Sequence, residues 1–300
     1  MKSSTLLALV LLAFAAPANT QQFKFTSLDF PDGSLTTGRG INDHGDIVGA
    51  YRVGPGVRHA LLIKKGQYFP IAPETILGAF YSEATDINDR GDLVGQMVDW
   101  NGFGHGFLVR DGLVTVLDFP GATETFALSI NGSGLVAGYW DVLDAYGNML
   151  ELHSYTWKDG VFTQFDFPWG AGGAIFGIND GGDMVGVWLA DLSSDIEHGF
   201  ACPKNGACFS FDVPVPGSPL TQADAINEHG HIVGVYFDAD GVWHAFLMVG
   251  ANFTSFDYPG ATLTAAFGIN SAGQIVGKYT DANGVLHGFL AEPINIGKPQ

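Results

Sequence analysis

The stretch TQADAINEHGHIVGVYFDADGVWHAFLMVGANFTSFDYP, running from Thr221 to Pro259, reads as four short strands and their turns. Thr221 to Ile226, His231 to Phe237, Trp243 to Val249 and Phe253 to Tyr258 are each rich in β-branched, aromatic and apolar residues, and none is long enough for a helix. Polar, Gly-containing segments separate them, such as Asp238-Ala239-Asp240-Gly241, where Asp and Gly tolerate the tight backbone of a turn. Four strands joined by such turns form one antiparallel blade.

The same pattern occurs six times. Its Ile-Asn pair recurs as Ile41-Asn42, Ile87-Asn88, Ile130-Asn131, Ile178-Asn179, Ile226-Asn227 and Ile269-Asn270, at spacings of 46, 43, 48, 48 and 43 residues. About twenty residues after each pair stands a His: His59, His105, His153, His198, His244 and His287. Asp-x-Pro follows as a third marker at Asp29, Asp118, Asp166, Asp212 and Asp257, while the second unit carries Tyr68-Phe69-Pro70 without the Asp. Six blades of about 45 residues predict an all-β chain folded as a six-bladed β-propeller with four antiparallel strands per blade.

Closure of the ring supports this count. The last unit ends at His287-Gly288-Phe289-Leu290 after three strands, while Phe25 to Phe30 at the start is a fourth-strand sequence with no blade of its own. The N-terminal strand is therefore expected to complete the last blade, tying the two ends together and leaving no open edge.

Lys2, the apolar Leu6 to Ala16 and the small-residue Ala16-Pro17-Ala18 read as a signal peptide over 1–18. Residues 19–300 are then a single propeller domain, with repeats over about 23–291 and a short tail at 292–300. No Cys stands at the junction to take a lipid, and no later apolar run approaches a membrane span, so the expectation is a secreted chain, extracellular or periplasmic, without a membrane anchor. A formal charge of -18, from 31 acidic against 13 basic residues, weighs against nucleic acid as a partner, and none is expected. Cys202 and Cys208 flank Pro203 to Ala207 between two strands, and in an exported chain they are expected to form a cross-hairpin disulfide.

The markers resemble the HAF-repeat family of probable extracellular proteins, in His244-Ala245-Phe246 and, with Gly for Ala, His105-Gly106-Phe107, His198-Gly199-Phe200 and His287-Gly288-Phe289. The resemblance covers nearly the whole mature chain. It implies export and a repeat architecture, and it brings no catalytic residues or activity. The third unit departs most from the pattern, through an insertion from Asp144 to Glu151 that calls the regularity of its second turn into question.

Repetition marks the residues that every unit needs for itself. The six His are expected to bond within their own blades, to the Asp of an Asp-x-Pro strand, because third-strand positions lie on the order of 15 Å apart around a six-fold ring, too far to share a metal. The repeated Asn and the Asp-rich segments read as turn formers; a calcium loop would end in a Glu that is missing here. Tyr51, Trp140, Trp188, Tyr236 and Tyr279, each two residues beyond a repeated Gly, read as packing between blades. No metal or cofactor is expected.

Function is sought among the departures. By analogy with other propellers, the strand leading into Ile-Asn lines the channel, and the loop entering it opens on the ligand face. Small or apolar residues such as Ala127, Ala174, Ala266 and Phe267 dominate there, against which Arg39, Glu83, Asp86 and Asp224 stand out as charges, with Tyr81, Glu124, Trp169 and Gln222 in the entry loops. Arg39 and Asp86, on adjacent blades, form a possible ion pair. Two function classes follow. The first is a non-enzymatic binding or interaction module for an extracellular glycan, peptide or protein. The second is a carboxylate-dependent polysaccharide hydrolase or lyase, with Glu83 and Asp224 as acid and base.

Overall fold

A computed structural model of the chain describes residues 22–294 apart from 32, 34, 74–77 and 194–195. The expected signal peptide over 1–18 and the end of the tail lie outside the described residues. Blade 1 comprises β2 (Leu35–Ile41), β3 (Ile47–Arg52), β4 (His59–Lys64) and β5 (Gln67–Pro70). Blade 2 comprises β6 (Tyr81–Ile87), β7 (Leu93–Val98), β8 (Gly104–Arg110) and β9 (Leu113–Leu117). Blade 3 is β10 (Glu124–Ile130), β11 (Val136–Leu143), β12 (Met149–Lys158) and β13 (Val161–Phe165). Blade 4 is β14 (Gly172–Ile178), β15 (Met184–Leu189), β16 (His198–Cys202) and β17 (Phe209–Phe211). Blade 5 is β18 (Thr221–Ile226), β19 (Ile232–Phe237), β20 (Trp243–Val249) and β21 (Asn252–Phe256). Blade 6 is β22 (Leu263–Ile269), β23 (Ile275–Thr280) and β24 (Leu286–Ile294), with β1 (Gln22–Leu28) as its outermost strand.

The closing strand pairs antiparallel along its length, from Gln22 opposite Ile294 to Leu28 opposite Gly288. It therefore begins three residues earlier than the sequence indicated, and β24 continues into the expected tail. Phe23 and Phe25 pack on Phe256, and Phe25 also meets Tyr258 and Phe289, so the seam has an apolar core as well as a ladder.

Five of the six outer strands stop where Asp-x-Pro begins, because Pro has no N–H for the ladder, whereas β5, without the Asp, runs through Pro70. The residue between Asp and Pro instead donates its N–H to a Thr hydroxyl on the next inner strand: Phe30 to Thr36, Phe119 to Thr125, Val213 to Thr221 and Tyr258 to Thr264, at 2.8 to 3.1 Å. The Asp receives the His of its own blade. Nδ1 to carboxylate distances are 2.9 Å for His105 and Asp118, 2.6 Å for His153 and Asp166, 3.0 Å for His198 and Asp212, 2.9 Å for His244 and Asp257, and 2.7 Å for His287 and Asp29. The recurring aromatics lie against these His rings, and on the other side Phe30 stacks on Tyr51, Phe119 on Trp140 and Tyr258 on Tyr279. Each stack joins the end of one blade to the second strand of the next.

The Asp-rich segments close on themselves. Asp99, Asp144, Asp238 and Asp281 each accept, through one oxygen, the N–H groups two and four residues ahead. The insertion in blade 3 extends the β11–β12 hairpin, which ends in the same kind of turn at Asp144 but, as its sequence suggested, departs from the other blades through a register shift between Val142 and Leu143. Cys202 and Cys208 are disulfide-bonded across the turn after β16.

Candidate functional site

Every inner strand carries a β-bulge at the same place. The pairing of β2 with β3 skips one residue between Gly38 and Gly40, and the equivalent skips fall between Ala84 and Asp86, Ala127 and Ser129, Ile175 and Gly177, Ala223 and Ala225, and Ala266 and Gly268. The bulge draws the first strand against the second so closely that a side chain cannot fit between them. A Cβ on Gly49 would stand 1.9 Å from the Thr37 carbonyl oxygen, and one on Gly277 would stand 2.0 Å from that of Ala265. This close approach accounts for the repeated Gly of the second strand.

The skipped residues are Arg39, Thr85, Leu128, Phe176, Asp224 and Phe267, and all six line one cavity of about 290 Å³ on the channel axis. Gln96, Tyr139 and Lys278, each following the repeated Gly, add a second layer, with Gln222 and Trp243 beside them. Six equivalent backbone positions thus carry five different side chains, only Phe appearing twice. Blade 5 contributes a carboxyl, blades 6 and 1 two cations, and blades 3 and 4 an apolar wall.

Deeper along the axis the channel narrows through a ring of side-chain amides. Asn42 Nδ2 donates to the carbonyl of Asn88, Asn88 to Asn131, Asn131 to Asn179, Asn179 to Asn227, Asn227 to Asn270 and Asn270 back to Asn42, at 2.9 to 3.2 Å. The Oδ1 atoms also accept turn N–H groups, as Asn42 does from His44 and Asp46. The Asn is a turn former, as expected, and also the clasp between blades.

Of the residues singled out in the sequence, Arg39, Gln222 and Asp224 line the cavity. Glu83 lies behind Arg39, buried, and does not pair as a free carboxylate. It accepts from Arg39 Nε at 3.0 Å and Nη2 at 3.3 Å, Tyr81 Oη at 3.0 Å, Thr37 Oγ1 at 3.2 Å and Gln96 Nε2 at 3.4 Å. Burial alone would raise this carboxyl, but the guanidinium overrides it and holds Glu83 at about 2. Tyr81 is pushed up to about 12 by burial and the adjacent Glu83 charge.

The ion pair anticipated between Arg39 and Asp86 does not form; Arg39 pairs with Glu83. Asp86 follows the bulge and therefore faces the neighbouring blade, where Ser129 Oγ and Ile130 N donate to it at 2.6 and 2.9 Å. Burial nevertheless pushes it up to about 6. Glu124 accepts the N–H of Gly104 at 2.8 Å, and Gln222 donates to Glu197. Trp169 lies in a separate pocket with His153, Asp166 and Phe167, its ring 5.8 Å from that of Trp188.

Sequence reasoning missed Thr85, Leu128, Phe176, Gln96, Tyr139, Trp243 and Lys278, and it assigned Phe267 to the apolar background. The signal was present for most of them. The cavity residue is the third before each repeated Asn, and the second layer follows each repeated Gly, so both positions could be located from the repeat and seen to change in charge and size between units.

The chain matches no protein-family model, and no curated protein sequence is similar to it. Among solved structures it resembles the β-propeller domain of the Trilobed protease from Pyrococcus furiosus, with a TM-score of 0.50 and 10% identity over 88% of this chain and 100% of that one. It also resembles an Aleuria aurantia lectin in complex with Fucα1-6GlcNAc, with a TM-score of 0.50 and 9% identity over 91% of this chain and 99% of that one. At such identities the likeness is one of fold. The protein is a six-bladed β-propeller of four-stranded antiparallel blades, closed by its N-terminal strand.

Proposed function

We propose that the chain is an exported, non-enzymatic binding protein whose ligand site is the channel cavity ringed by Arg39, Thr85, Leu128, Phe176, Asp224 and Phe267. The observation that carries this reading is the ring itself. A ligand without six-fold symmetry can be oriented only where the copies differ, and the bulge aims the most divergent side chains of the repeat at one point. A cavity of about 290 Å³ suits a single sugar residue or a short peptide terminus. The Aleuria aurantia lectin adds an analogy of fold for a glycan.

The electrostatics favour binding over the hydrolase alternative. With Glu83 ion-paired to Arg39, hydrogen-bonded on both oxygens and held ionised, it is not available to Asp224 as an acid or base partner, and Glu197, the other carboxylate whose charge reaches Asp224, accepts from Gln222. Export and membership of the HAF-repeat family belong to the same proposal. The Cys202–Cys208 disulfide supports an oxidising, extracellular or periplasmic location.

The test is a thermal-shift screen of soluble glycans and peptides, repeated on Asp224→Ala, Phe176→Ala and, for the neighbouring pocket, Trp169→Ala. Stabilisation that disappears with the first two and persists in the third supports the channel. Stabilisation lost only in Trp169→Ala places the site on the blade 3 to blade 4 surface instead.

A further inference from the structure

Two groups of opposite chemistry face the cavity from adjacent blades without a partner of their own. Lys278 Nζ lies 4.8 Å from the Trp243 ring centroid and 5.3 Å from that of Phe267, and it has no ion pair or hydrogen bond among the described residues. Asp224 Oδ2 is buried and likewise lacks a hydrogen-bond partner among the described residues. Arg39 is committed differently. Its Nε and Nη2 donate to Glu83, and its plane lies over Phe267 at 4.3 Å.

A cationic ligand could satisfy Asp224, but it would meet Lys278 and Arg39 in the same small space. A neutral polyol could bond to both groups and would leave the ammonium charge uncompensated. A carboxylate satisfies both. One oxygen accepts from Lys278 Nζ, and the other accepts the O–H of a protonated Asp224, a state favoured because burial, with the Glu197 charge added, outweighs Arg39 and Lys278 and raises this carboxyl well above its ordinary range. The remaining walls fit a ring-sized body, with Phe176 and Leu128 on blades 4 and 3 and the amide of Gln222 beside Asp224.

Resting on the channel reading above, we propose that the cavity takes the acidic residue of a glycan, a sugar carboxylate, gripped by Lys278 and Asp224 across the boundary of blades 5 and 6. Binding then weakens as pH rises. Burial and Arg39 bring Lys278 down to about 8, with Arg58 acting the same way and Glu83 and Asp224 opposing. Above that point Lys278 loses its charge, and any ionisation of Asp224 adds repulsion.

The experiment is calorimetric titration of the whole protein with glucuronate and with glucose, which differ at the carboxylate. At pH 6.5 the expected result is glucuronate binding at least about tenfold tighter than glucose, as one charge-assisted pair provides. Lys278→Met and Lys278→Gln should both erase that preference, with circular dichroism confirming the fold, and Asp224→Leu should weaken glucuronate. Raising the pH to 9 should weaken it by about tenfold or more. Equal binding of glucose and glucuronate, both lost in Phe176→Ala, would overturn the carboxylate and leave the channel reading intact. Glucuronate binding that ignores both Lys278 variants, or no glucuronate binding at all, would also overturn the carboxylate; the channel reading would then be judged by the wider screen.

Discussion

The side-chain amide of Asn270 donates to the main-chain carbonyl of Asn42 at 3.1 Å, joining residues 228 positions apart. This bond completes a closed circuit of six, each member buried near the channel axis. Asn270→Ala removes one donor and leaves the Asn42 carbonyl without it, so unfolding in urea should show a loss of about 1 to 3 kcal/mol. Asn131→Ala, in the middle of the chain, should cost about the same, since both bonds have the same geometry. A loss confined to Asn270→Ala would mean that the seam, rather than the ring, is what these amides stabilise.

Replacing Glu83 by Gln leaves the Arg39 guanidinium in the channel wall without its counter-charge. The side chain of Glu83 is 2% exposed and that of Arg39 28%, so solvent cannot fully take over, and the expected loss is about 3 to 5 kcal/mol at neutral pH. The sign with pH follows from the lowered carboxyl. Its contribution is fully present above the unfolded value of 4.5 and is lost as pH falls toward about 2. The stability gap between wild type and Glu83→Gln should therefore narrow across that window; a gap constant with pH would show that packing rather than charge is responsible.

Deleting residues 22–31 removes β1 together with Asp29, the partner of His287. The exposed edge of β24 then resembles any unprotected strand and invites pairing with a second molecule. Size-exclusion chromatography should find dimers, larger aggregates or insoluble protein. A monomer with wild-type melting behaviour would show the last blade to be stable with three strands.

The Cys202–Cys208 bridge closes a separation of six residues, so its stabilisation should lie near the low end of the usual range, about 2 kcal/mol. The paired Cys202→Ser and Cys208→Ser variant should unfold at correspondingly lower denaturant and remain folded at 25 °C. Thiol labelling at both sites in the unreduced, denatured wild type would rule the bond out.

How much of this was legible follows from what repetition encodes. Asn42 recurs in every blade, and His105, Asp118 and the aromatic at Trp140 recur in nearly all, because the turn, the His–Asp contact and the seam are made blade by blade, so their spacing alone determined six blades and the closing role of the first strand. The partner of Asp118 could be named from sequence because both residues lie in one short-range sheet. The partner of Arg39 could not. Side chains alternate along a strand with a period of two, and a bulge shifts that alternation by one residue. The single skip at Arg39 turns it into the channel and toward Glu83, while the residue after the skip at Thr85, Asp86, turns to the next blade. The sequence determined where the copies differ; only the tertiary structure, through the bulge and the ring, decided which of those differences meet.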